Sequence, residues 1–172
     1  MAALMSTEIN LSDKIVANII ECKEMGIKIL PPDIRESGSG FTPTDNAIRF
    51  GLSAIKNLGD NTVNSITKSR ENLDESSNIF EFLSLMDSKK MNKKSLESLL
   101  KSGCLDCFGH TRSTLFNNME LLLEYVGQNN KDKNIKQETL FQLNELVTTL
   151  SLEESKEWSP YDLSKYEIEA LG

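Results

Sequence analysis

Lys56, Asn57, Leu58, Gly59, Asn61 and Thr62 lie in one short run of the chain. Their types suit the holding of a phosphate, not the breaking of a bond. The stretch Leu52-Ser-Ala-Ile-Lys-Asn-Leu-Gly-Asp-Asn-Thr-Val-Asn-Ser-Ile66 reads as two short helices joined by a tight turn. In this reading Leu58 plugs between the helices and Gly59 takes a backbone conformation that other residues strain to reach. Asp60 caps the second helix, which leaves the amides of Asn61, Thr62 and Val63 pointing outward. First-turn amides and the helix dipole together make an anion site that reads no base. Lys56 stands beside it, although Asp60 sets a carboxylate at the helix end that a phosphate would meet. A helical hairpin that only packs has the same spacing, so a purely structural or protein-interaction module without DNA contact is the alternative.

The stretch resembles the helix-hairpin-helix family, whose core reads apolar-x-Gly-apolar-Gly-x-x-x-small-x-x-apolar. Asn57 stands where the family has its first glycine, and Asn reaches the left-handed region more readily than most residues. A second basic cluster, Lys89, Lys90, Lys93, Lys94 and Lys101, is opposed only by Glu97. Its first four lysines crowd the amino end of a predicted helix capped by Asn92, the wrong end for cations in the field of the helix dipole. An anion seated there would account for them; so would a solvated face. Lys93 and Lys94 join the residues of the hairpin as candidate DNA contacts.

Other chemistry is excluded by what is missing. The chain has one histidine, His110, no Asp-x-Asp pair to hold two metal ions, and no GxxxxGK[ST] phosphate loop. Gly38-Ser-Gly40 is followed by Phe-Thr-Pro and reads as a flexible turn. No catalytic residue is assigned. Cys104-Leu-Asp-Cys107-Phe-Gly-His110 has zinc-like spacing, and Cys22 would be needed to complete four ligands. The better reading makes Cys104 a small buried residue after a helix end, with Cys107 and His110 on a connecting turn. No metal site is assigned.

The 172 residues carry a net charge of −7. Arg49, Lys56, Lys68 and Arg70 are nevertheless opposed only by Asp60 between positions 49 and 70. An acidic protein repels nucleic acid on average, yet local basic stretches can grip a phosphate backbone. Three cysteines in an odd set suggest reduced thiols. The apolar runs are too short to cross a membrane and the opening residues lack a signal-peptide pattern, so a cytoplasmic protein without membrane contact is expected.

The expected architecture is mainly α with a small β element. A helix carrying Ile15, Ile19, Ile20 and Met25 ends at Gly26, and Ile27–Leu30 forms a strand stopped by Pro31 and Pro32. Residues 35–46 form a loop with Phe41 and Thr42 in a second strand, and Ala47–Phe50 forms a third with Ile48 and Phe50 on one face. Helices follow around Ile79–Met86, from Asn92 to the left-handed stop at Gly103, and from Arg112 to Val126. Residues 127–136 contain one apolar side chain and read as a solvated linker. Beyond 152 the chain is acidic, with Trp158 and Tyr161 as isolated anchors, and its end reads as that of a piece of something longer. The division expected is a hairpin-bearing helical domain over 1–126, a linker over 127–141, and the incomplete start of another region over 142–172.

The order of segments resembles one stretch of the bacterial replicative polymerase family, the DNA polymerase III alpha subunits. The residues that carry it are Glu21-Cys-Lys-Glu-Met-Gly-Ile-Lys-Ile-Leu-Pro-Pro-Asp-Ile34 and Ile48-Arg-Phe-Gly-Leu-Ser-Ala-Ile-Lys-Asn-Leu-Gly59. Asn92–Gly103, Leu105-Asp106 and Gly109-x-x-Arg112 continue it. The resemblance implies the end of the fingers region with its helix-hairpin-helix element. It also implies a parent DNA-directed DNA polymerase that uses Mg²⁺, while this piece lacks the catalytic aspartates and needs no cofactor. Gln137-Glu-Thr-Leu-Phe141 matches the Gln-x-x-Leu-Phe pattern by which bacterial proteins engage the sliding clamp. Gln137 would hydrogen-bond at a pocket rim that Leu140 and Phe141 fill. An ordinary amphipathic helix over the same residues is the competing reading. The implied partners are duplex DNA, the sliding clamp and the rest of the polymerase alpha chain.

Overall fold

A computed structural model describes residues 1–132 and 151–172. The chain starts in a helix that its sequence did not announce, α1 (Ala2–Thr7), which buries Ala2 and Met5 without a side-chain cap. Helix α2 (Ser12–Glu24) follows. Glu8 joins the two helices by accepting from Lys14 Nζ at 2.8 Å and Asn18 Nδ2 at 2.9 Å. As predicted, the helix stops before Gly26, whose φ of 74° suits a residue without a side chain. Its inward stripe differs from the expected one: Ile15, Asn18 and Cys22 are buried, whereas Ile20 and Met25 are exposed. Ile20 comes five positions after Ile15 and is rotated off that stripe.

Three short strands form a sheet in the order β1-β3-β2, where β1 is Lys28–Leu30, β2 Thr42–Pro43 and β3 Ala47–Arg49. β3 runs parallel to β1 and antiparallel to β2. Ile48 and Phe50 are both buried, as their alternation predicts. Phe50 meets Phe41 edge-on with ring centroids 4.8 Å apart. The Gly38-Ser-Gly40 segment is pinned rather than loose: Leu52 N donates to Gly38 O and Ser53 N to Ser39 O, both at 2.9 Å. Gly51 allows this approach, because a Cβ there would lie 2.5 Å from the Gly40 carbonyl carbon.

The rest is helical: α3 (Asp60–Ser69), α4 (Ile79–Leu85), α5 (Lys93–Lys101), α6 (Arg112–Asn117), α7 (Met119–Asp132) and α8 (Pro160–Leu171). Reciprocal capping boxes start α4 (Asn78 with Glu81) and α5 (Asn92 with Ser95). Leu52, Ile55, Ile66, Phe82, Leu96 and Leu99 lie in the core that these helices share with the sheet. The architecture is thus mainly α with a small β element, as the sequence indicated.

Two differences matter for the site. The helix expected over Arg112–Val126 is broken at Asn118, which leaves helical geometry at φ −97° and ψ 14°. Its Nδ2 donates to Thr114 O at 2.8 Å and Glu153 O at 3.0 Å, and its Oδ1 accepts from Glu153 N. Helix α7 then continues through Gly127 to Asp132, beyond the point where a linker was expected. The acidic carboxy-terminal stretch docks on the domain instead of trailing from it. Residues 151–159 run along α6 as a strap, and α8 packs on α5. Trp158 is not isolated: its ring lies 5.4 Å from Phe116 and 4.5 Å from Tyr166.

Candidate nucleic-acid interface

The hairpin is built differently from the symmetric pair of helices that its sequence suggests. Its first arm is only a single 3₁₀ turn, Leu52–Ala54, after which Ile55 is extended. Asn57, not Gly59, takes the left-handed conformation, at φ 64°. Gly59 sits in ordinary extended space at φ −77° and ψ 160° and is itself the cap residue of α3, with Asp60 the first helical residue. Leu58 is 7% exposed and packs into the core, where the plug was expected.

Among the described residues no side chain caps α3. The amides of Thr62 and Val63 are occupied, both donating to Gly59 O, at 2.9 and 3.1 Å. Those of Gly59, Asp60 and Asn61 have no acceptor among the described residues, and all three residues are exposed. The set of free amides therefore begins two residues earlier than the sequence placed it, and only Asn61 belongs to both. Thr62 is buried, and its hydroxyl donates to Lys90 O at 2.7 Å. It holds the site together from inside.

That bond brings the two basic stretches side by side, since Lys90 belongs to the turn leading into α5. Asn57 adds a second tie, donating from Nδ2 to Ser98 Oγ at 3.0 Å. Lys56, Lys89, Lys90, Lys93 and Lys94 are all exposed. Lys90 and Lys93 face Asp87 at 4.0 Å and Glu120 at 3.6 Å, surface pairs that compete weakly with another anion. Lys68 is exposed as well, whereas Lys101, Arg49 and Arg70 serve the fold. Lys101 is buried between Glu97 at 2.7 Å and Glu169 at 2.9 Å. Burial works against its charge, but the hydrogen bonds it donates to Glu169 and Glu97 prevail and hold its pKa above the ordinary lysine value. Arg49 pairs with Glu36 and donates to Pro31 O, and Arg70 donates to Ser37 O.

The strap docks on α6, and α8 reaches the hairpin, by residues that the sequence did not single out. Glu157 accepts from the amides of Arg112 at 2.8 Å and Ser113 at 3.2 Å, closing the amino end of α6. Partial burial opposes its ionisation, yet the backbone hydrogen bonds from Arg112, Trp158 and Ser113 hold its carboxyl below the usual range. Arg112 grips Asp106 at 2.8 Å and Glu167 at 2.7 Å. At the far end of α8, Ala170 O accepts the amide of Lys56 at 2.9 Å. Of the two anchors expected from the sequence, Trp158 takes part in this docking through Phe116 and Tyr166, whereas Tyr161 is exposed.

Cys22 and Cys104 are core residues, and burial pushes the Cys104 thiol well above its ordinary pKa. Burial, with Asp33 nearby, raises the half-buried Cys107 to about 11. His110 Nδ1 faces Glu154 at 3.5 Å. Among the described residues no three His, Cys, Asp or Glu side chains gather as a metal cluster, and no helix is long and apolar enough to cross a membrane. The clamp pattern, Gln137, Leu140 and Phe141, lies outside the described residues.

A family model for a helix-hairpin-helix motif matches residues 26–115, which takes in the sheet, the hairpin and α3 to α5. Over its whole length the chain is 39% identical to 15% of the DNA polymerase III subunit alpha of Borreliella burgdorferi. The same subunit of Campylobacter jejuni is 36% identical over the whole chain and 15% of its own length, and that of Thermus aquaticus 36% over the whole chain and 14%. The chain thus spans about one-seventh of the length of these curated relatives. It belongs to the helix-hairpin-helix motif family and is similar, from end to end, to one segment of the DNA polymerase III alpha subunit.

Proposed function

We propose that this chain is a non-catalytic part of a bacterial replicative DNA polymerase that holds duplex DNA by its backbone and tethers the enzyme to the sliding clamp. The observation that carries the DNA reading is the set of three amides, at the exposed residues Gly59, Asp60 and Asn61, that have no acceptor among the described residues, flanked by Lys56 and by the lysine turn that Thr62 ties to α3. A phosphate oxygen on those amides gains hydrogen bonds and the positive pole of α3, and nothing in the arrangement distinguishes one base from another. Asp60 and the net charge of −7 keep the grip weak, as suits a contact that must slide. The clamp reading rests on Gln137, Leu140 and Phe141 as a short anchor peptide. Together the two contacts would raise processivity through effective concentration, and the Mg²⁺-dependent chemistry would belong to other parts of the polymerase.

Titrating this chain into a labelled duplex at several salt concentrations tests the DNA contact. Weak, sequence-independent binding that falls with salt is expected. Lys56→Glu combined with Asn61→Glu should lower affinity at least about tenfold and flatten the salt dependence by roughly one phosphate contact. Both side chains are exposed, so the fold should survive. Unchanged affinity would remove the hairpin from the interface. For the clamp, Phe141→Ala should cost about 2 kcal/mol of binding to purified clamp if Phe141 is an anchor; an isotherm like that of the unaltered chain would end that part of the proposal.

A further inference from the structure

Helix α8 lies outside the part of the chain that the hairpin family model matches, yet its last turn is in direct contact with the hairpin. Ala170 O takes the Lys56 amide, and the Lys56 side chain runs beside Gly172, where a Cβ would lie 3.9 Å from Lys56 Cε. Between the hairpin and α8 is a polar cleft of about 290 Å³ lined by Asn57, Lys94, Lys101, Glu97 and Glu169. Glu169 bonds Lys101 at 2.9 Å, but more than half of its side chain remains exposed. Its carboxyl is held below the usual range by the hydrogen bond from Lys101 and, further off, by Lys165 and Lys56. The carboxy-terminal pole of a helix is also negative.

We propose that α8 is a counter-charge built against the hairpin, in which Glu169 and the carbonyl end of the helix compete with DNA phosphate for Lys56 and Lys94. With α8 docked, three lysines (Lys56, Lys94 and Lys101) meet two carboxylates and a negative helix pole. With it lifted, the same lysines face Glu97 alone. The docking itself is held by the ion pairs of Lys101 and Arg112 and by Trp158, whose ring lies between Tyr166 of α8 and Phe116 of α6. The strength of the DNA grip is therefore set by a helix that touches no DNA. This inference rests on the DNA reading above.

The test is duplex binding at low salt by the full chain and by single-charge variants. Glu169→Gln keeps an oxygen for Lys101 and should tighten binding about two- to fivefold, the range of an exposed ion pair. Lys165→Glu adds negative charge on the exposed side of α8 without touching a buried contact, and should weaken binding by a similar factor. Glu24→Gln, an equal charge change on the distant end of α2, should leave affinity unaltered. The gain from Glu169→Gln should disappear in a chain that also carries Lys56→Gln and Lys94→Gln. Binding by the unaltered chain with no tightening in Glu169→Gln, or an equal gain in Glu24→Gln, overturns the counter-charge and leaves the DNA reading intact. No duplex binding by any of these proteins overturns the DNA reading, and the counter-charge with it.

Discussion

At the amino end of α6, Thr111 Oγ1 accepts the amide of Thr114 at 3.1 Å, and Glu157, from 45 residues along the chain, takes those of Arg112 and Ser113. At the amino end of α3 no side chain among the described residues reaches back, and the amides of three exposed residues have no acceptor there. The two ends carry the same partial positive charge and the same orphaned donors. What separates them is whether the chain supplies an acceptor of its own. Where it does, the helix end becomes a fastening point for the strap. Where it does not, the helix end stays available to an acceptor from outside.

The comparison can be broken first on the fastened side. Trp158 is half-buried and meets Phe116 edge-on and Tyr166 at a tilt, so Trp158→Ala should destabilise the fold by about 2 kcal/mol, less than for a fully buried ring. The change is read from chemical unfolding followed by circular dichroism. A smaller effect should follow from Glu157→Gln, which keeps an acceptor but loses the charge, at about 1 kcal/mol. Glu157 also makes the fastening sensitive to acid. Its folded pKa lies below its ordinary value, so it contributes its full stabilisation above the carboxylate range and loses it as pH falls through the folded pKa. Trp158 is the only tryptophan in the chain, so its fluorescence reports the release directly. In Glu157→Gln the acid-dependent step should be smaller.

Much of the framework was legible because it rests on local chemistry. Asn92 three residues before Ser95, the alternation of Ile48 and Phe50, and glycines at the left-handed positions 26 and 103 each state their structure within a few residues. The strap was not legible, because its meaning lies in partners some 40 residues away. Ser155 and Glu157 read as solvated until Thr111, Thr114 and Arg112 are placed beneath them. The same long-range packing decides which lysines remain outside: Lys94 and Lys101 belong to one basic run, yet one is exposed and the other buried between two carboxylates. At the hairpin, the composition of the turn was legible but not the whole division of labour within it. Asn57 takes the left-handed conformation that its type allows, whereas Gly59, expected in a conformation strained for other residues, is ordinarily extended. Thr62, placed among the contacts by its position in the first turn, is turned inward by its bond to Lys90.

Gly59 offers the smallest change in structure and the sharpest use of the comparison. Because its φ is ordinary and a Cβ there would meet nothing within 4 Å, a side chain can be added without strain. Gly59→Ser would give α3 the cap it lacks, with the hydroxyl accepting from the first-turn amides as Thr111 does for α6. The gain in stability should be modest, a few tenths of a kcal/mol, since glycine is already a tolerated cap residue. Affinity for duplex DNA should fall at the same time, because an internal acceptor now competes with phosphate for the same donors. Stability measured by denaturant and binding measured by salt titration should thus move in opposite directions. A serine variant that is more stable and binds duplex as well as the unaltered chain would mean that the open end of α3 serves no ligand, and the contrast with α6 would be one of folding alone.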